Sequence, residues 1–140
     1  MVMDNLAKHV REKYGVDLSN QFTPSANYCH SMDFVEYITV NDVTVSHRID
    51  QFLTLIMDKT QENIVGFKLK GFKYIFNTHL KPLFELNNNS FISLVSILEA
   101  VIRERGDEAI RSAQSRSAYK KALVLAKLHN TVVTELPMAA

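Results

Sequence analysis

Five histidines, His9, His30, His47, His79 and His129, are the residues of this chain most able to do chemistry by type alone. Imidazole ligates zinc or moves a proton near neutral pH. Metal sites draw such ligands from helix-spaced pairs or adjacent strands, and no HxxxH, HExxH or HxH occurs here. The one grouping that strands could gather is His30, Asp33, His47 and Asp50. Against it, His47 falls on the apolar side of its strand, where a hydrogen-bonded imidazole is the commoner role. No metal ligand and no cofactor is assigned. Cys29 is the single cysteine, which excludes an intramolecular disulfide and a thiolate zinc site. His30 follows it directly, but sequence adjacency does not create the spatial pair that activates a thiolate. Neither GxSxG nor SxxK accompanies the serines, and Gly66 stands outside any glycine-rich phosphate loop. No catalytic residue follows from these patterns, and a metal-dependent enzyme ranks third among the functional readings.

Two surface patterns carry more. At about 100° per residue, Arg116, Lys120 and Lys127 fall within about 40° of one another on a helix, Lys121 lies well off that line, and Arg111 is nearly opposite. Such a stripe could contact phosphates, or it could be a solvated helix face. The second pattern runs from His47 to Phe72, where odd positions are apolar and the other side mixes Arg48, Lys68 and Lys70 with Phe52 and Ile56. Helices could cover both sides, a ligand could stack there, or a twin copy could bury Phe52 and Ile56 behind a cationic rim. Helices that follow a sheet usually stack on one side only, so self-association is the preferred explanation.

The elements that must position these residues show in the hydrophobic period. Met3, Leu6, Ala7, Val10 and Tyr14 follow helical spacing and predict an N-terminal amphipathic helix. VDLSNQFTPSANYCHS has no period and reads as loop. FVEYITV is β-rich, and Asn41-Asp42 marks a turn. From Val43 to Met57 the alternation holds apart from Gln51, which predicts one long strand bent or bulged near Asp50-Gln51. DKTQEN turns the chain into IVGFKLK, and pairing Met57 with Val65 sets the odd residues of both strands on one side. Phe72, Phe76, Leu80 and Leu83 suggest helical turns that Pro82 interrupts. A helix follows with Phe91, Leu94, Val95, Leu98, Val101 and Ile102 on its stripe, an Asn or Ser cap before it and Gly106 at its end. The last helix spans about Glu108 to Leu128, with Ile110, Ala113, Ala118, Ala122, Leu125 and Ala126 on its apolar side. TVVTELPMAA reads either as a short strand or as an unstructured tail.

With 140 residues, 46% hydrophobic and 22% charged, the chain fits a single globular α+β domain. The expected architecture is an N-terminal helix, an antiparallel sheet of three to four strands, and two to three C-terminal helices on its odd face. A net charge of +1 gives no global field for nucleic acid or an acidic membrane. The start lacks a secretory h-region, and FISLVSILEAVI is too short and too interrupted to span a bilayer, so a reducing cytoplasm is the expected compartment.

The middle third, DFVEYITV, VTVSHRID and FLTLIMDKTQENIVGFKL, resembles a small bacterial domain family of unknown function. The positions carrying the likeness are Asp33, Tyr37, Ile38, Asp50, Leu53, Leu55, Asp58, Ile64, Val65, Gly66 and Phe67. The resemblance implies a curved antiparallel sheet with helix packing, and no activity. The expected function is a non-enzymatic interaction module that forms a homodimer or binds a protein partner. A nucleic-acid-binding accessory protein is the alternative, and no membrane role is expected.

Overall fold

The computed structural model describes residues 24–82 and 91–137. The helix expected over residues 3–14 lies outside them, as do Leu83 and the asparagines at 87–89. Five strands make one antiparallel sheet: β1 (Ser25–Cys29), β2 (Phe34–Ile38), β3 (Thr44–Arg48), β4 (Leu53–Asp58) and β5 (Ile64–Lys70), in the order β1-β2-β5-β4-β3.

Two of these strands differ from the sequence reading. The stretch read as one long strand is a hairpin, β3 turning back into β4. Asp50 drives the reversal: its Oδ1 accepts the Phe52 and Leu53 N–H groups, each at 2.8 Å. Alternation survives because the register pairs odd with odd, Val45 with Met57 and His47 with Leu55. Period alone therefore could not separate two strands from one. β1 emerges from the segment read as loop, with Ala26 and Tyr28 buried. Two buried positions in five residues are too short a signal beside Pro24 and Asn27.

The β4–β5 hairpin keeps the expected register at Leu53–Leu69 and Leu55–Phe67, then slips at a bulge so that Met57 faces Ile64 rather than Val65. Gly66 sits at the slip. A Cβ there would meet the Tyr37 carbonyl oxygen at 2.1 Å, so β2 and β5 can approach only with glycine at this position.

Helices cover the odd face. Gly71, at φ 70°, starts α1 (Phe72–Ile75), which widens into a π turn over Phe76–Leu80. Pro82 follows, lacking the amide hydrogen that an α ladder needs. α2 (Leu94–Arg105) is capped by Ser93, whose Oγ accepts the Ser96 N–H at 3.1 Å, so Phe91 lies outside the helix and is exposed. The helix expected from Glu108 to Leu128 is broken in two, α3 (Glu108–Arg111) and α4 (Ala113–Leu128). Ser112 is extended between them and caps α4 by accepting the Ser115 N–H at 3.0 Å. Ile110, placed on the apolar stripe by sequence, is exposed as a result of the break.

Short strands β6 (Ile92–Ser93) and β7 (Val132–Val133) pair with each other, and the tail accordingly contains a strand. The core joins Val35, Tyr37, Leu53, Phe67 and Leu69 of the sheet to Phe72, Phe76, Ile97, Leu98 and Val101 of the helices. Each such side chain contributes about 1.5–3 kcal/mol on burial. Ala118, Ala122 and Ala126, four residues apart, let α4 lie close over β4 and β5.

Candidate interaction site

β3 is the outermost strand on one side of the sheet. Ile49 and Leu53 oppose each other at the hairpin end, and the Ile49 N–H donates to the Leu53 carbonyl at 2.9 Å. Antiparallel bonding alternates by residue, so Val45 and His47 also direct their backbone groups to β4. The N–H and C=O of Thr44, Ser46 and Arg48 therefore point to the open edge. Among the described residues no strand pairs there. Ser46, His47 and Arg48 are exposed, and Val43 just before them is 68% exposed. The opposite edge differs, since β1 lies beside β7.

The inner side of β3 is held firmly. Asp50 Oδ2 accepts the Tyr119 hydroxyl at 2.6 Å and lies 3.2 Å from Arg105 Nε. The Asp50 and Arg105 side chains are only 8% and 17% exposed. Burial, followed by the bond to Asp50, pushes the Tyr119 phenol far above its ordinary range, so it stays a neutral donor. The side-chain amide of Gln114 lies 3.2 Å from His47 Nε2, and Arg48 Nε donates to the Asp50 carbonyl at 3.3 Å. One end of β3 is thus tied to α2 and α4, while no strand among the described residues pairs with its far edge. Such an arrangement presents preformed backbone donors and acceptors to an incoming strand.

The four residues weighed as metal ligands do not converge. His30 faces Glu135 at 3.9 Å, and Asp33 accepts the Tyr28 hydroxyl and the Lys73 N–H. His47 meets Gln114, and Asp50 meets Tyr119 and Arg105. Among the described residues no group of three or more His, Cys, Asp or Glu side chains could hold a metal ion. His30 also packs its ring on Tyr28 at 4.6 Å, while the Cys29 thiol is lowered by the Ser31 hydroxyl and then by the Met32 amide.

The proposed partner face is assembled only in part. Arg48 and Lys70 are exposed. Lys68 is engaged, 3.5 Å from Glu36 and 4.7 Å above the Phe34 ring. Ile56 is only 2% exposed, and Phe52 packs on the main core beside Gly71 rather than on the outer face. The cationic stripe does form on α4, but Arg116 is spent on the Ile110 carbonyl at 2.7 Å. Lys120 and Lys127 are exposed, and Lys120 shares a groove with Lys121.

Sequence reasoning missed Tyr119 and Arg105, and also the pairs His79–Glu104 at 2.9 Å and Tyr37–His129 at 2.7 Å. Each pair joins residues far apart in the chain, and no local spacing could announce it. Of this network the sequence marked only a bend near Asp50-Gln51, read as a kink within one long strand where the chain in fact reverses. Among the described residues no helix is long and apolar enough to cross a membrane. Comparison with protein-family models, with curated proteins and with solved structures finds no match.

Proposed function

We propose that this protein is a non-enzymatic interaction module that self-associates, β3 of one copy pairing antiparallel with β3 of a second. The observation that carries this reading is the open row of backbone groups at Thr44, Ser46 and Arg48. An antiparallel contact needs outward-pointing residues opposite one another. Pairing about Ser46 satisfies this, with Ser46 facing Ser46 and Thr44 facing Arg48. The two Arg48 side chains then stand apart, each diagonal to Asp42 of the other copy. Asp42 is held ready, since its Oδ1 already accepts the Val43 N–H at 2.7 Å. β3 carries no proline, lysine or bulge, the usual devices that keep an edge strand single. The contact is small, so a reversible dimer with Kd on the order of micromolar is expected.

Sedimentation velocity over a concentration series tests it. Wild type should pass from monomer to dimer, whereas Ser46→Pro should stay monomeric. The Ser46 N–H points outward, so proline removes no bond of the β3–β4 ladder. Ser46→Lys supplies a second variant that keeps the N–H but sets two ammonium groups together on the two-fold axis. A wild type that remains monomeric up to roughly a hundred micromolar sinks the reading. Dimers that tolerate both variants would also rule out this edge.

A further inference from the structure

A second surface lies away from the β3 edge and asks for a different occupant. α4 and the β4–β5 turn enclose an open groove of about 560 Å³. Met57, Ile64 and Leu125, all half-buried, form its floor, and Val124 and Leu128 stand on its wall at 56% and 66% exposure. Residues 120, 124 and 128 are each four apart, so one helix row runs from a lysine to two exposed aliphatic side chains. Lys120 and Lys121 occupy the N-terminal end of that wall, and Glu62 stands on the turn.

We infer that this groove binds an acidic amphipathic helix of another protein. The occupant would carry two aliphatic side chains about one turn apart, with carboxylates at the end that meets Lys120 and Lys121. Three features lead to that chemistry. The aliphatic pair on α4 matches an i, i+4 pair on an opposing helix. Among the described lining residues two lysines stand against one carboxylate, Glu62, so the rim attracts anionic side chains and repels cationic ones. A second copy presenting the same face is a poor fit, because a concave surface does not fill itself across a two-fold axis and its lysines would find only Glu62. The rigid turn opposite favours binding with little rearrangement. Asp58 accepts the Glu62 and Asn63 N–H groups at 3.0 and 3.3 Å, and Asn63 Nδ2 at 2.8 Å, which fixes one wall.

The test uses fluorescently labelled synthetic helices built from leucine and glutamate in this pattern, with controls in which lysine replaces glutamate or serine replaces leucine. Anisotropy titrations against the full chain should show saturable binding of the Leu-Glu helix, weakening with salt, and little binding of either control. Lys120→Glu with Lys121→Glu should cost about tenfold or more in affinity and bring the Leu-Lys helix into binding. Leu128→Ser, at an exposed site, should weaken the Leu-Glu helix while leaving the melting temperature nearly unchanged. Amide shift mapping should place the contact at Val124, Leu125 and Leu128. Equal binding of the Glu and Lys helices, shifts confined to other surfaces, or no binding at low salt would each overturn the proposal. Ser46→Pro binds the helix as wild type does if the two surfaces act separately. Loss of binding in that variant would overturn their independence.

Discussion

The two ends of β4 are built on the same device and put to different use. At one end Asp50 closes the β3–β4 turn by accepting two backbone N–H groups, and at the other Asp58 closes the β4–β5 turn in the same manner. The difference lies in the remaining lone pairs. Asp58 spends its own on Thr60 and Asn63, within the turn and in solvent. Asp50 gives one to the Tyr119 hydroxyl on one helix and holds its charge 3.2 Å from Arg105 Nε on another, both largely out of solvent. A carboxylate satisfied locally fixes a loop, whereas one satisfied by distant partners fixes the loop to the fold. The strand whose edge is offered for pairing hangs from the second kind.

The largest expected effect breaks this contrast at its buried end. Asp50→Ala leaves Arg105 with an uncompensated buried charge and should cost about 3–5 kcal/mol in urea unfolding. Replacing both partners, Asp50→Asn with Arg105→Met, should recover much of that loss, since neutralising a buried pair together is far less costly than stranding one member. A loss for Asp50→Ala no greater than that of an ordinary surface change would show that the network does not bear on stability. Tyr119→Phe comes next. It deletes one charge-assisted hydrogen bond and keeps the ring, so about 1.5–3 kcal/mol should be lost. It should also loosen β3, read as faster amide exchange at Val45 and His47.

The smallest effect belongs to Asp58. Hydrogen bonds from the Asn63 side chain first, then from Thr60 and the turn amides, hold its carboxyl at about 2, below the ordinary 3.8. A depressed carboxyl stabilises the fold when ionised. Its contribution is complete above the ordinary value and is lost as pH falls through about 2. Thermal melts of wild type and Asp58→Asn should therefore differ modestly at neutral pH and converge in acid. A gap that persists or widens in acid would place the turn's stability elsewhere.

How much of this could be read in the sequence follows from the range of each interaction. The β4–β5 hairpin was legible because its pairs are close in sequence and its odd face is continuous from Leu53 to Leu69. The β3–β4 reversal was hidden because an odd-odd register preserves the alternation that a straight strand would show. In the sequence Ser112 is one more polar residue within the expected helix, and its extended backbone leaves no mark there. Capping depends on φ and ψ, which composition does not carry. The open edge could not be seen at all. Which strand lies outermost depends on strand order, and β2 skips its sequence neighbour to pair with β5.

That skip has a consequence for the growing chain. β2 is made before β3 and β4, yet its inner partner β5 is made after both. As the protein leaves the ribosome, β1 and β2 can form a hairpin at once, but the inward edge of β2 must wait, unpaired, through the synthesis of residues 39–65. The sheet closes only when Gly66 arrives and allows the Tyr37 backbone to come within reach. Until then the nascent chain exposes a second sticky edge, one that the finished fold conceals.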